Sequence, residues 1–178
     1  MDFPWEIPYR LLPDLARPGA SHDLEGTLPG GRLDIGHRTL GIDEGITYRL
    51  TLANTGGDVL LTGTASATTR TECARCLREL PLELQGEVEG YFILEPDELD
   101  RRLSDDEFTV VGADGIVDLA PSVCAALVYE LPQAPLCRED CAGLCPTCGA
   151  NLNEQQCACG DRPSSDSPFA ALKQAFGD

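Results

Sequence analysis

Basic residues are scarce in this 178-residue chain: 13 Lys and Arg stand against 30 Asp and Glu, a formal net charge of −17. Affinity for nucleic acid comes largely from cationic side chains that displace phosphate counterions. A chain this acidic is a poor non-specific ligand for RNA, DNA or an anionic membrane, and its field draws basic partners instead. Histidine is scarcer still. His22 and His37 are the only two, both without a partner motif, and they read as surface histidines rather than bases or ligands. No apolar run is long enough to span a bilayer, so no membrane association is expected. MDFPWEIPYR lacks a basic leader followed by an apolar stretch, so no secretory signal is expected and the cytoplasm is the expected location. There is no phosphate-cradling loop, nucleophile elbow or dinucleotide fingerprint. The carboxylates of residues 95–107 match no general acid/base pattern and read as a solvated charge run. These absences predict a protein that is not an enzyme and takes no small-molecule substrate.

What is present begins with an apolar content of 42%, within the globular range. Residues 1–31 are broken by Pro and Gly and predict an irregular arm with short extended pieces, docked through Trp5, Ile7, Leu11 and Leu12. Residues 32–136 predict an α+β core. Ile46, Tyr48, Leu50 and Leu52 alternate with polar neighbours as a half-buried strand, NTGGD (54–58) turns, and Val59–Thr71 returns as an antiparallel partner. After ECARCL, alternation resumes through Leu82, Leu84, Gly86, Val88, Gly90 and Phe92. A short hairpin is expected over 108–118. DLAPSVCAALVYELP then predicts a helix, with Asp118 as N-cap, Pro121 in the first turn and Pro132 as the stop. Its apolar face is Leu119, Val123, Leu127 and Leu131, with Cys124 and Val128 beside them. Residues 137–178 predict a cysteine-rich lobe and a short terminal helix capped by Ser167. The fold class expected is α+β: an antiparallel sheet, one core helix and a metal-stapled C-terminal lobe.

Nine cysteines are the conspicuous enrichment. In a reducing compartment clustered thiols bind metal or do chemistry more often than they form disulfides. The sharpest local signal is GLCPTCGANLN. Cys145 and Cys148 enclose two residues, and Gly149 supplies the positive φ that lets a tight loop aim backbone N–H groups at the sulfurs. One such knuckle provides two ligands, and structural zinc takes four. Cys137, Cys141, Cys157 and Cys159 are the nearby candidates, and zinc is the metal this donor set suits. A disulfide framework would require export, and an iron–sulfur cluster finds none of its usual spacings here. Cys73 and Cys76 form a second knuckle-like pair. One zinc in the C-terminal lobe, with Cys145 and Cys148 its firmest ligands, is the primary expectation. Counting Cys73 and Cys76 gives eight thiols and a two-zinc alternative, with Cys124 left over as a small core hydrophobe. A thioredoxin-like redox role for Cys73 and Cys76 is a further alternative, without the strand-to-helix context such pairs use.

CARCL after a hairpin, a helix leading into LPQAPLC, CREDCAGLCPTCGANLN with a following CxC, and the closing SPFAALKQAF together resemble the YceD family. The resemblance runs over residues 46–176 in outline and is specific at 73–77 and 137–153. It implies a non-enzymatic role in ribosome biogenesis, supporting accumulation of large-subunit ribosomal RNA. Family genes in bacteria commonly neighbour that of a small zinc-ribbon protein of the large subunit, which points to a protein partner. Some members lack the C-terminal cysteines, so the resemblance fits a stabilising role for metal. Charge and resemblance converge on an acidic surface, such as residues 95–107, that holds a basic ribosomal protein or a large-subunit assembly intermediate. Direct ribosomal RNA binding is the alternative, with Arg70, Arg75 and Arg78 as its modest basic patch.

Overall fold

The computed structural model describes residues 3–11, 13–36, 39–94 and 108–159. The expected charged loop or helix at 95–107, the C-terminal helix, Leu12 and His37 lie outside the described residues. The chain divides into two compact units, one of Met1–Thr71 with Glu79–Pro135, the other of Glu72–Arg78 with Leu136–Asp178.

The first unit is a mostly antiparallel sheet with one helix, as the α+β reading expects. Its elements are β1 (Pro8–Arg10), a 3-10 turn (Pro13–Ala16), β2 (Ser21–Leu28), β3 (Gly31–Asp34), β4 (Thr39–Asn54), β5 (Asp58–Glu72), β6 (Glu79–Ile93), β7 (Thr109–Val110), β8 (Ile116–Asp118) and α1 (Ala120–Tyr129). The main sheet runs β2-β4-β5-β6-β7, with β3 also on β4, and β1 pairs with β8 separately. β4 carries β3 along its first half and β2 along its second, on either side of a register shift between Ile42 and Ile46. The alternation read in β4 and β5 is obeyed: Ile46, Leu50, Leu52, Val59 and Leu61 are all buried. Asn54 secures the turn between them, its Oδ1 accepting from Gly56 N–H at 2.8 Å and its Nδ2 donating to Leu15 O at 2.8 Å.

Three local expectations are corrected. Residues 21–28, read as part of an irregular arm, form an eight-residue strand paired along its length with β4. The sequence hides it because one inward position is Gly26. Tyr48 of β4 fills that gap, and a Cβ on Gly26 would stand 2.7 Å from the Tyr48 ring; the partner strand supplies the apolar surface that β2 lacks. The expected 108–118 hairpin does not pair with itself. β7 joins β6 in parallel and β8 pairs antiparallel with β1, a partner more than 100 residues away in the chain that no local pattern reveals. Finally, the helix N-cap is Leu119, without a side-chain cap bond. Asp118 Oδ1 instead accepts from Ile7 N–H (2.7 Å) and Ala120 N–H (3.0 Å), tying β1 to the start of the helix.

α1 buries Ala120, Val123, Cys124, Ala126 and Leu127, and packs on the inner face of β6. The approach is close: a side chain at Gly86 would collide with the Ala126 carbonyl. Cys124 is fully buried in the core, as expected of a small hydrophobe, and burial pushes its thiol up to about 12, with Asp118 adding to the effect. Trp5 and Ile7 dock as expected, with Trp5 Nε1 donating to Pro29 O at 2.8 Å. Among the described residues no helix is long and apolar enough to cross a membrane.

Candidate metal centres

Among the described residues, the second unit has almost no regular secondary structure; it is built on two copies of one backbone device. In Cys73-Ala-Arg-Cys76, Cys73 N–H donates to Arg78 O and Leu77 N–H donates to Cys73 O, both at 2.9 Å. In Cys145-Pro-Thr-Cys148 the equivalent bonds run from Cys145 N–H to Ala150 O and from Gly149 N–H to Cys145 O, both at 2.8 Å. The amide two residues after each first cysteine points at its sulfur: Arg75 N to Cys73 Sγ is 3.5 Å, and Thr147 N to Cys145 Sγ is 3.4 Å. Each loop closes through a left-handed residue, Leu77 (φ 59°) in the first and Gly149 (φ 72°) in the second.

Each knuckle gathers two more thiols. Cys73, Cys76, Cys137 and Cys141 form one set and Cys145, Cys148, Cys157 and Cys159 the other, with all four Sγ atoms of a set within 4.8 Å of one another. Thus the six thiols named from the sequence are divided. Cys145, Cys148, Cys157 and Cys159 stay together, whereas Cys137 and Cys141 join Cys73 and Cys76. The two-set count, left open by the sequence, is the arrangement this fold adopts, and Cys124 stands apart from both.

The separations identify what such a set can hold. Cys73 and Cys141 Sγ are 3.8 Å apart, and Cys76 and Cys137 Sγ are 3.7 Å apart. A disulfide would require about 2.05 Å. Metal–sulfur bonds of about 2.3 Å in a tetrahedron place sulfurs about 3.8 Å apart. The donor set therefore fits a tetrahedral thiophilic cation, with every vertex taken by protein.

The electrostatics agree. The Cys73 thiol is drawn down to about 6, chiefly by the backbone N–H groups of Cys137 and Cys76, and Cys145 is drawn to about 6 by those of Cys148 and Thr147. Their neighbours move the other way. Cys137 is pushed up to about 12 by burial and adjacent thiols, and Cys159 to about 12 by its contact with Cys148 and by burial. Thiols this crowded cannot all ionise on their own; a divalent cation at the centre removes the conflict.

Supporting residues hold the ligands, in roles the sequence did not assign to them. Arg75 Nη1 donates to the carbonyls of Glu139 (3.2 Å) and Cys141 (2.9 Å). Asn153 Nδ2 donates to Cys141 Sγ at 3.3 Å, while its Oδ1 accepts from Ala142 N–H and Arg138 Nη2, both at 2.8 Å. The paired asparagines of GANLN, immediately after the knuckle, were the available signal. Of the basic patch suggested for RNA, Arg75 is committed to these carbonyls, and Arg70 is paired with Asp43 and Glu79.

Comparison with known proteins places this geometry in context. An uncharacterised protein of Mycobacterium tuberculosis is 37% identical over 138 residues, covering 76% of this chain and 66% of that protein. One of Mycobacterium leprae is 34% identical over 148 residues, 82% of this chain and 67% of that protein. The chain thus spans about two thirds of the length of these mycobacterial relatives. A maize chloroplast protein, named large ribosomal RNA subunit accumulation protein YCED homolog 1, is 33% identical over 73 residues, 40% of this chain and 24% of that protein. No solved structure matches. The family model described as large ribosomal RNA subunit accumulation protein YceD matches residues 61–175, a span that takes in both thiol sets, and the chain belongs to that family.

Proposed function

We propose that this protein is a non-enzymatic factor in large-subunit ribosomal RNA accumulation, which holds a basic ribosomal protein or assembly factor on an acidic surface and uses two structural zinc ions to shape its cysteine-rich unit. The family name supplies the process. The donor geometry supports zinc, because all four vertices of each set are protein thiols and no position is left for substrate, the mark of a structural site. Cys73 and Cys76 would serve as ligands there, a role that speaks against a thiol–disulfide exchange function.

The observation that carries the partner reading is the outer face of β6. Glu79, Glu83, Glu87 and Glu89 all point to solvent at alternate positions of one strand. Glu79 is paired with Arg70, but among the described residues no ion pair engages Glu83, Glu87 or Glu89. Carboxylates on a rigid strand, in a chain of net charge −17, form a fixed field for a cationic partner.

Two measurements test the proposal. Metal analysis of the purified, reduced protein should give close to two zinc atoms per chain. In binding assays at physiological salt, basic large-subunit proteins should bind, and the triple variant Glu83→Gln/Glu87→Gln/Glu89→Gln should bind several-fold more weakly. Tight binding to naked ribosomal RNA fragments with a steep salt dependence would overturn the acidic-surface reading in favour of direct RNA recognition.

A further inference from the structure

The two thiol sets share more than a unit. Cys141, the last ligand of the first set, is separated from Cys145, the first ligand of the second, by only Ala142, Gly143 and Leu144. Those linking residues are fastened to the loop enclosed by the second set. Leu152 N–H donates to Gly143 O at 2.9 Å, and Leu144 forms an isolated bridge with Asn151. Asn153 completes the link. Its backbone leaves Cys148 and returns to Cys157, both second-set ligands, while its carboxamide grips Cys141 Sγ, Ala142 N–H and Arg138 of the first. Asn151 Oδ1 orients that carboxamide by accepting from Asn153 Nδ2 at 2.8 Å and from Asn153 N–H at 3.0 Å.

We infer that the two four-thiolate sites fill cooperatively, and that Asn153 is the positioning residue that couples them. This rests on the zinc reading above. A cation in the second site closes the 149–156 loop and thereby presents the Asn153 amide to Cys141. A cation in the first site fixes Cys141 and so orders the same loop from the other side. Whichever ion binds first meets the ordering entropy of the shared segment, and the second binds to a segment already ordered. The opposing effect is charge, since each four-thiolate zinc site carries a net charge of about −2 and the two repel. Cations lie where that repulsion acts: Arg75 Nη1 is 2.9 Å from the Cys141 carbonyl, and Arg138 Nη2 is 2.8 Å from Asn153 Oδ1. Both reduce the repulsion, and the N–H···S bond from Asn153 withdraws charge from Cys141 itself. Outer residues that hold a metal ligand are worth about 10- to 100-fold in metal affinity.

The test is titration of the full-length, reduced, metal-free protein with Zn2+, the apo, one-metal and two-metal species being counted by native mass spectrometry. Two equal and independent sites leave about half of the molecules with one metal at half-saturation. The wild-type chain should instead show mostly apo and two-metal species. Asn153→Ala should restore the one-metal species to near that statistical level, and Gln155→Ala, an exposed side chain of the same loop, should behave as wild type. Titration with Co2+ adds a signature that general destabilisation would not produce. Loss of the N–H···S bond makes Cys141 a stronger donor, shifting the sulfur-to-cobalt absorption to lower energy in the variant. Asn153→Asp keeps the acceptor for Ala142 and Arg138 but cannot donate to sulfur, so it carries the test if Asn153→Ala fails to fold, and it too should raise the one-metal fraction. Statistical filling of the wild type would overturn the coupling. An unchanged species distribution in both Asn153 variants would overturn the role of Asn153. Failure of any metal to bind would overturn the zinc reading, and the coupling with it.

Discussion

The knuckles at 73–76 and 145–148 share one hydrogen-bond pattern, yet they close their sites in opposite ways. The second set draws every ligand from residues 145–159. The first pairs Cys73 with a thiol 68 residues away and Cys76 with one 61 residues away. Exposure follows the same division. In the first set Cys73, Cys76 and Cys141 are buried and only Cys137 is half-exposed, whereas in the second only Cys145 is buried, Cys157 and Cys159 are half-exposed and Cys148 is exposed. A short local loop closes at small entropic cost and leaves its metal near solvent; a long closure costs more, so a metal there contributes more to holding the fold together.

That contrast is broken most directly at the ligands. Cys141→Ser should cost the first metal and destabilise the second unit strongly, a loss on the order of several kcal/mol. Cys148→Ser should also cost one metal, but leave the first site loaded and the unit folded, with a smaller fall in melting temperature. Metal content and thermal melting of the two variants separate these outcomes, and equal losses would erase the distinction between long-range and local closure.

A second experiment separates both sets from the ninth thiol. With metal removed by chelator, the eight cysteines of the two sets should alkylate at pH 8, while Cys124 stays unmodified until the protein is denatured. Burial in the hydrophobic core excludes the reagent from Cys124, whereas the eight ligands belong to a unit that has lost the ions holding it closed. Mass spectrometry counts the adducts; nine in the native chelated protein would show that Cys124 is not a core side chain.

The smallest effect tests the knuckles themselves. Leu77 is 59% exposed and holds φ 59°, where Gly149 holds φ 72° in the other loop. A non-glycine residue in this region costs about 1–2 kcal/mol, and glycine gives back about 0.5–1 kcal/mol through the freedom of the unfolded chain. Leu77→Gly should therefore stabilise by somewhat under about 1 kcal/mol, and Gly149→Leu should destabilise by a similar amount. Opposite signs in chemical denaturation would confirm that the loops are equivalent. A loss in Leu77→Gly would mean that the exposed leucine is held for another reason.

Much of this was legible in one dimension. The alternation of β4, β5 and β6, the helix through Val123 and Leu127, and the burial of Cys124 follow from side-chain period and polarity. β2 was hidden because Tyr48 supplies the surface that Gly26 lacks, and β8 because its partner, β1, is distant in the chain. The thiols were all visible, but their partition was not. Cys137 and Cys141 are nearer in sequence to Cys145 than to Cys73, and only the fold sends them to the earlier pair.

By itself, then, the sequence determined the two knuckles, since each loop is shaped within six residues by its own amides and one left-handed position. It also determined the acidic character of the chain and the kind of cation its thiols suit. Tertiary structure decided which thiols meet, which arginines remain available and where Asn153 reaches. Each of those depends on contacts between segments whose sequence separation leaves no periodic trace.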